Sequence, residues 1–99
     1  FWGVRGSIPV SGREFCRFGG DTICFEVICG RRRFIVDAGS GLRRLGAAMA
    51  ATGDLDATLL LSHLHLDHII GLTAFEPLFR PQGRVEIRAP EIAAGALRA

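Results

Sequence analysis

The sequence predicts an α/β fold, because short segments with strand periodicity and with helix periodicity alternate along the chain. Residues 22–29 alternate apolar and polar side chains with a period of two, which is the pattern of a strand. Residues 41–51 place Leu42, Leu45 and Met49 on one face of a helix. Residues 58–62 form a continuous apolar run, which is typical of a strand covered on both faces. This alternation indicates a sheet whose faces are covered by helices.

The first third of the chain reads as strands joined by turns. Residues 1–7 predict a short strand, and a loop rich in glycine and proline follows from Ile8 to Asp21. The strand at 22–29 has one strongly apolar face, and a turn at Gly30 leads into a strand at 34–37. The arginines at 31–33 are either a phosphate-binding patch or a charged hairpin tip, and the tip is the favoured interpretation.

The rest of the chain alternates helices and strands. Ser40 is a suitable N-cap for the helix from Gly41 to about Ala51, which Gly53 ends. The remaining predicted elements are the strand Thr58–Ser62, a second helix from Asp67 or His68 to just before Pro77, a strand over Val85–Arg88, and a final helix beginning at Pro90.

Composition limits the class of protein. Of the 99 residues, 48% are hydrophobic and 22% are charged, which is typical of a globular domain. A net charge of +2 is too small to indicate a nucleic-acid surface by itself. Cys16, Cys24 and Cys29 are odd in number and lack C-x-x-C spacing, so we expect no disulfides and a cytoplasmic location. No apolar run reaches the roughly 18 residues of a membrane span.

All three histidines fall within the stretch Ser-His-Leu-His-Leu-Asp-His, residues 62–68. His63 comes just after a buried strand, at the end where α/β proteins place their chemistry. His63, His65 and Asp67 alternate, so their side chains share one side of an extended backbone, and His68 can turn toward the same space. Imidazole and carboxylate are ligands that Zn²⁺ takes. Each histidine alone suggests an exposed loop residue or a helix cap, but together they predict a metal site.

The stretch His63–His68 resembles the H-x-H-x-D-H signature of the metallo-β-lactamase-fold hydrolases. Phe34–Gly39 is similar to the family's strand that ends in aspartate and glycine. Residues 1–7 and 18–22 resemble the opening of its ribonuclease Z and cyclic-phosphodiesterase-like branch. One departure is Asp21, since that branch more often has asparagine at this position. Residues 85–90 are similar to a later strand. The resemblance covers nearly the whole chain and implies the N-terminal half of an αββα sandwich.

The resemblance also implies roles for these residues. His63 and His65 would bind a first metal ion, and Asp67 and His68 a second. Asp37 would hold the ligand loop through hydrogen bonds, whereas without the resemblance it is a strand-end acid. The implied cofactor is a pair of Zn²⁺ ions, with Mn²⁺ or Fe as alternatives. The implied reaction is hydrolysis by a metal-activated water, with Asp67 as the catalytic carboxylate that orients it.

The implied substrate is a phosphodiester, in a nucleic acid or in a small molecule. Thioester or lactone hydrolysis, a non-catalytic metal-binding module, and an iron enzyme remain alternatives. Arg5 and Ser7 are candidate phosphate contacts, although structural roles are favoured for both. The family's other ligands come from the second half of its domain, and no histidine follows His68. We therefore expect residues 1–99 to be the N-terminal portion of one domain, inactive alone, with no membrane partner and with homo-oligomers as an option.

Overall fold

The computed structural model describes residues 1–91, in which a four-stranded sheet packs against one α-helix and several short 3₁₀ segments. The strands are β1 (Phe25–Cys29), β2 (Arg32–Val36), β3 (Asp56–Leu60) and β4 (Arg84–Arg88), and the helix is α1 (Leu42–Thr52). The α/β class predicted from the sequence is therefore confirmed.

The strands lie in the sheet in the order in which they occur in the chain. β1 and β2 form an antiparallel hairpin, with Phe25 opposite Val36. β2, β3 and β4 are parallel, with Val36 beside Leu60 and Leu60 beside Arg88. The carboxyl ends of these three strands therefore meet at one edge of the sheet, and the loops that follow them are brought together there.

The core lies on the face of the sheet that α1 covers. Ile35 and Leu59 are adjacent in the sheet and are both fully buried. The helix contributes a stripe at helical spacing, as predicted from the sequence, and Phe75 packs from the segment that follows β3. The buried residues of that stripe are Leu42, Leu45 and Met49.

The opposite face of the sheet has no helix over it within residues 1–91, and we call it the open face (Phe25, Val27, Phe34, Val36 and Leu60). It includes the apolar side of the predicted strand 22–29, and Val27 is 50% exposed there. The polar side of that segment is the buried one, since Thr22 and Cys24 are both at 0% exposure. The expectation that residues 58–62 are covered on both faces holds only for the side carrying Leu59 and Leu61.

The prediction of a second α-helix is wrong. Residues 66–79 instead form three 3₁₀ segments, Leu66–His68, Ile70–Ala74 and Glu76–Phe79. Hydrogen bonds from outside the segment prevent an α-helical ladder. The His68 carbonyl accepts from the Ala38 amide at 2.8 Å, and the Gly71 amide donates to the Ala38 carbonyl at 2.8 Å. In an α-helix both groups would bond within the segment itself.

Smaller differences concern element ends. Residues 1–7 make isolated bridges from Gly3 to Cys24 and from Arg5 to Thr22 rather than a continuous strand. Gly41 is the N-cap of α1, and the Ser40 hydroxyl instead accepts from the Thr22 amide at 2.9 Å. The final helix expected from Pro90 lies outside the described residues. Within residues 1–91, no helix has both the length and the apolar character needed to cross a membrane.

Candidate metal centre

The candidate site lies at the carboxyl edge of the parallel strands. Asp37 directly follows β2, and Ser62 comes two residues after the end of β3. The parallel pairing of Val36 with Leu60 brings them together, and the Asp37 amide donates to the Leu60 carbonyl at 2.8 Å. Asp37 has φ 63°, the left-handed region that few non-glycine residues adopt.

The Asp37 carboxylate anchors the start of the histidine loop. Its Oδ1 accepts hydrogen bonds from the Ser62 amide and from the Ser62 hydroxyl, both at 2.9 Å. The Ser62 hydroxyl also lies 2.9 Å from Nδ1 of His63. Because a carboxylate only accepts, the hydroxyl gives its proton to Asp37 and must accept from Nδ1–H of His63. This arrangement leaves Nε2 of His63 with its lone pair, as a metal ligand requires.

The three imidazole rings are packed together. The centroids of His63 and His65 lie 4.4 Å apart with the rings nearly perpendicular, as their alternate spacing predicted. The centroids of His63 and His68 lie 4.1 Å apart. His65 is exposed, whereas His63 and His68 are half-buried. The loop therefore collects all of the chain's histidines at one point on the surface.

His68 lies between two carboxylates. Its Nδ1 is 3.1 Å from Oδ2 of Asp37, and its Nε2 is 3.4 Å from Oδ2 of Asp67. The Nδ1 contact is close in distance but not aligned as a hydrogen bond, so this buried nitrogen has no hydrogen-bond partner among residues 1–91. Asp37 therefore acts on the ring as a nearby negative charge. The two ring nitrogens of His68 thus each face a different carboxylate, Asp37 at Nδ1 and Asp67 at Nε2.

The N-terminal segment of the chain holds the Asp67 side chain in place. The backbone amide of Ser7 donates to Oδ2 of Asp67 at 3.0 Å, and Ser7 has φ 73°. This hydrogen bond is the main reason that the pKa of Asp67 lies below its usual value, and the neighbouring His68 and His65 lower that pKa further. Asp67 is therefore kept as a carboxylate, the form that binds cations.

Close backbone packing fixes the far end of the loop. A Cβ at Gly71 would lie 2.0 Å from the Gly39 carbonyl oxygen, so a side chain cannot fit there without a shift of the backbone. The Gly71 amide and the His68 carbonyl both bond to the backbone of Ala38. The histidine loop is thus tied to the β2–α1 connection at both of its ends, by Asp37 and by Ala38.

The donor atoms partly fit a metal ion. Two ligands about 2.0–2.1 Å from a tetrahedral zinc ion lie roughly 3.4 Å from each other. Nε2 of His68 and Oδ2 of Asp67 have this separation. Among residues 1–91, however, no group of three or more His, Cys, Asp or Glu side chains is arranged to hold one ion. The His68 and Asp67 pair therefore has the spacing of two ligands of one ion, without a complete cage around it.

The structure brings together the five residues named from the sequence as metal ligands or as their support, namely Asp37, His63, His65, Asp67 and His68. Sequence reasoning missed the bridging hydroxyl of Ser62, although its position directly before His63 was a usable signal. Ser7 was named as a candidate phosphate contact with a structural role favoured, but the sequence gives no signal for the hydrogen bond from its backbone amide to Asp67. Arg5, the other candidate phosphate contact, has its guanidinium over the Phe15 ring at 4.4 Å.

Comparison of the chain with protein-family models, with curated proteins and with solved structures gives no match.

Proposed function

We propose that this chain is the N-terminal half of a metallo-β-lactamase-like αββα domain, and that the complete domain is a two-metal hydrolase. The proposal rests on the resemblance of residues 63–68 to the H-x-H-x-D-H signature. The observation that carries it is the geometry around His68, whose Nε2 lies beside Asp67 while Asp37 lies beside Nδ1. A carboxylate behind a ligating histidine is the usual support of a metal-bound imidazole.

The residues divide into donors and supports. His63 and His65 would hold one Zn²⁺ ion, and Asp67 and His68 the other, with Mn²⁺ or Fe as alternative metals. Such a metal pair supplies a water of lowered pKa and stabilises the charge that develops on a phosphoryl group. Asp67 also orients the attacking water, and the Ser7 amide keeps this carboxylate ionised and in place.

Phosphodiesters are the substrate class that we propose, in a nucleic acid or in a small molecule. Two donors for each ion are fewer than the three protein ligands that a catalytic zinc site usually has. The proposal therefore includes further ligands from outside these 99 residues, supplied by the rest of the domain or by a second copy of the chain. The three free cysteines agree with a cytoplasmic location, which is part of the same proposal.

Zinc titration of the 99-residue chain tests the site. We expect weak binding, which His63→Ala and Asp67→Ala each reduce further, and no turnover of bis-p-nitrophenyl phosphate. Cys16→Ser and Cys29→Ser are the matched controls, because both thiols are exposed and could bind zinc by themselves. Zinc binding that depends on the thiols and not on His63 would contradict the proposed site.

Activity of the complete protein tests the reaction. We expect zinc-dependent hydrolysis of bis-p-nitrophenyl phosphate, and we expect His65→Ala to remove nearly all of it. Faster turnover of a thioester or of a lactone would reassign the substrate class on the same metal pair. Stoichiometric metal without hydrolysis of any ester would indicate a non-catalytic metal-binding module instead.

A further inference from the structure

A second candidate site lies at the amino ends of the parallel strands, at the edge of the sheet opposite to the histidines. A cavity of about 470 Å³ opens there between the β1–β2 turn and the starts of β3 and β4. Four of its nine lining residues are arginines, Arg31, Arg32, Arg33 and Arg84. The lining also includes Thr58, Asp56 and Glu86.

The cavity exists because β2 and β3 separate toward their amino ends. Their ladder covers only three pairs, from Phe34 with Thr58 to Val36 with Leu60. β2 continues to Arg32 and β3 to Asp56 beyond that ladder, whereas β3 and β4 stay paired along their whole length. The amino ends of the two strands therefore do not pair with each other, which leaves a gap between them beside the arginines.

One of the four arginines already has its partners. Arg33 contacts Glu26 at 2.7 Å and Asp54 at 3.1 Å, and it is largely buried. The charge of Arg33 is therefore already paired and does not add to the positive charge of the cavity.

The other three arginines, Arg31, Arg32 and Arg84, form no ion pair within residues 1–91. Arg32 lies over the Phe34 ring at 5.1 Å, a contact that limits the motion of its guanidinium. Of the acids in the lining, Glu86 contacts Arg88 at 2.8 Å, which leaves Asp56 alone to balance these three charges. The cavity is therefore positively charged.

We propose that this cavity binds the phosphate group of a small phosphorylated molecule. Guanidinium groups match phosphate oxygens with two parallel hydrogen bonds, which lysine cannot do. The volume falls within the roughly 300–1,000 Å³ of small-molecule sites and exceeds what a single inorganic ion needs. At about 3.3 Å per residue, the chain from Asp56 to His63 places this site on the order of 20 Å from the histidines. It is therefore a second site and not an extension of the metal centre.

Calorimetric titration of the metal-free protein with inorganic phosphate, pyrophosphate and adenosine 5′-diphosphate tests the proposal. Metal-free protein is used because the histidine loop could otherwise bind these anions through a metal ion. We expect saturable binding of one pyrophosphate or adenosine 5′-diphosphate per chain, and weaker binding of inorganic phosphate. Arg84→Ala and Arg31→Ala should each weaken this binding by roughly tenfold or more. Equal affinities for pyrophosphate and adenosine 5′-diphosphate would assign the site to the phosphates alone.

The controls separate a built site from general positive charge. Arg43→Ala removes the same charge from an exposed position on α1, away from the cavity, and should leave binding unchanged. Arg84→Lys keeps the charge but loses the planar fork, so we expect a loss of affinity there too. Circular dichroism confirms the fold of each variant. Absence of saturable binding overturns the proposal, as does equal weakening by Arg43→Ala and Arg84→Ala.

Discussion

The Asp37 carboxylate contacts two residues that are distant from it along the chain, Ser62 and His68. It accepts from the Ser62 amide and hydroxyl, and it lies 3.1 Å from the His68 ring. With its side chain at 7% exposure, little water is available to replace these contacts if it is removed. The single residue thus sets both the start of the histidine loop and the orientation of its last ring.

We predict that Asp37→Ala weakens zinc binding by about 10- to 100-fold, because the ligand orientation is lost. It should also lower the free energy of unfolding by about 1–3 kcal/mol, since the Ser62 amide loses its acceptor. Asp37→Asn keeps an acceptor but removes the charge, so it should retain more stability than alanine while still reducing zinc affinity. Zinc titration and urea unfolding measure the two effects. Unchanged zinc affinity in both variants would leave Asp37 with a turn role only.

Cys24 is a buried thiol whose pKa is raised to about 12, chiefly by burial and then by the charge of Glu26. We predict that iodoacetamide labels Cys16 and Cys29 in the folded protein and labels all three cysteines only in denaturant. An unfolded thiol loses its proton near its ordinary value of 9.0, so stability should fall as the pH rises from about 9 toward 12. Mass spectrometry counts the labels. Rapid labelling of Cys24 at pH 8 would show that this part of the core opens readily.

The proximity of the candidate donors could be predicted from residue type and spacing. Alternation along the loop correctly indicated that His63 and His65 lie side by side. The support from Ser7 could not be predicted, because it comes from a backbone amide 60 residues away that has no side-chain signature. Which atoms of a loop meet a distant backbone depends on the folded path of the chain, and sequence periodicity carries no record of it.

At the level of elements, α1 depends on a close approach to the segment that follows β3. A Cβ at Gly46 would lie 2.8 Å from Cδ1 of Phe75, and Phe75 is fully buried. The residues from 66 to 79 show why such an approach is hard to foresee. Their apolar spacing is helical, but two hydrogen bonds to Ala38 divide the segment into 3₁₀ turns. A tertiary contact here overrides a local pattern.

We predict that Gly46→Ala destabilises the protein, although alanine favours a helix by about 1 kcal/mol over glycine. Overpacking against a filled core costs about 1–3 kcal/mol, which equals or exceeds that gain. The matched control is Ala47→Gly, at an exposed position of the same helix, which measures the helix-propensity difference alone. Thermal unfolding of the two variants decides the sign. A clear stabilisation by Gly46→Ala would mean that Phe75 moves aside without cost.

At the level of the whole molecule, α1 covers one face of the sheet, and no helix lies over the other face within residues 1–91. The sequence predicted the α/β class and an apolar side for the segment 22–29, but not which side the helix would cover. The buried side of this segment is the one that carries Thr22 and Cys24. Thr22 bonds to the β2–α1 connection, and Cys24 bonds to Gly3. Strand alternation shows that two faces differ, and it does not indicate which face receives the helix.

We predict that the open face makes the 99-residue chain self-associate, because its apolar side chains are only partly covered and Val27 is 50% exposed among them. Val27→Arg should reduce this association. Ile28→Arg is the matched control, since Ile28 is 63% exposed on the same strand but points to the opposite side of the sheet. Sedimentation velocity over a concentration series measures the association. A monomer at all concentrations, or an equal effect of the two variants, would contradict the prediction.

The strand order β1-β2-β3-β4 also has a consequence for how the molecule forms. Each strand pairs with the strand that precedes it in the chain. The β1–β2 hairpin closes the shortest loop, across the Gly30–Arg31 turn, and so loses the least chain entropy. β3 and then β4 add to a template that already exists. Asp37 meets Ser62 only after β3 has joined β2, so the histidine cluster assembles late. Zinc added during refolding should therefore change the phases that follow the joining of β3 to β2, and leave hairpin formation unaffected.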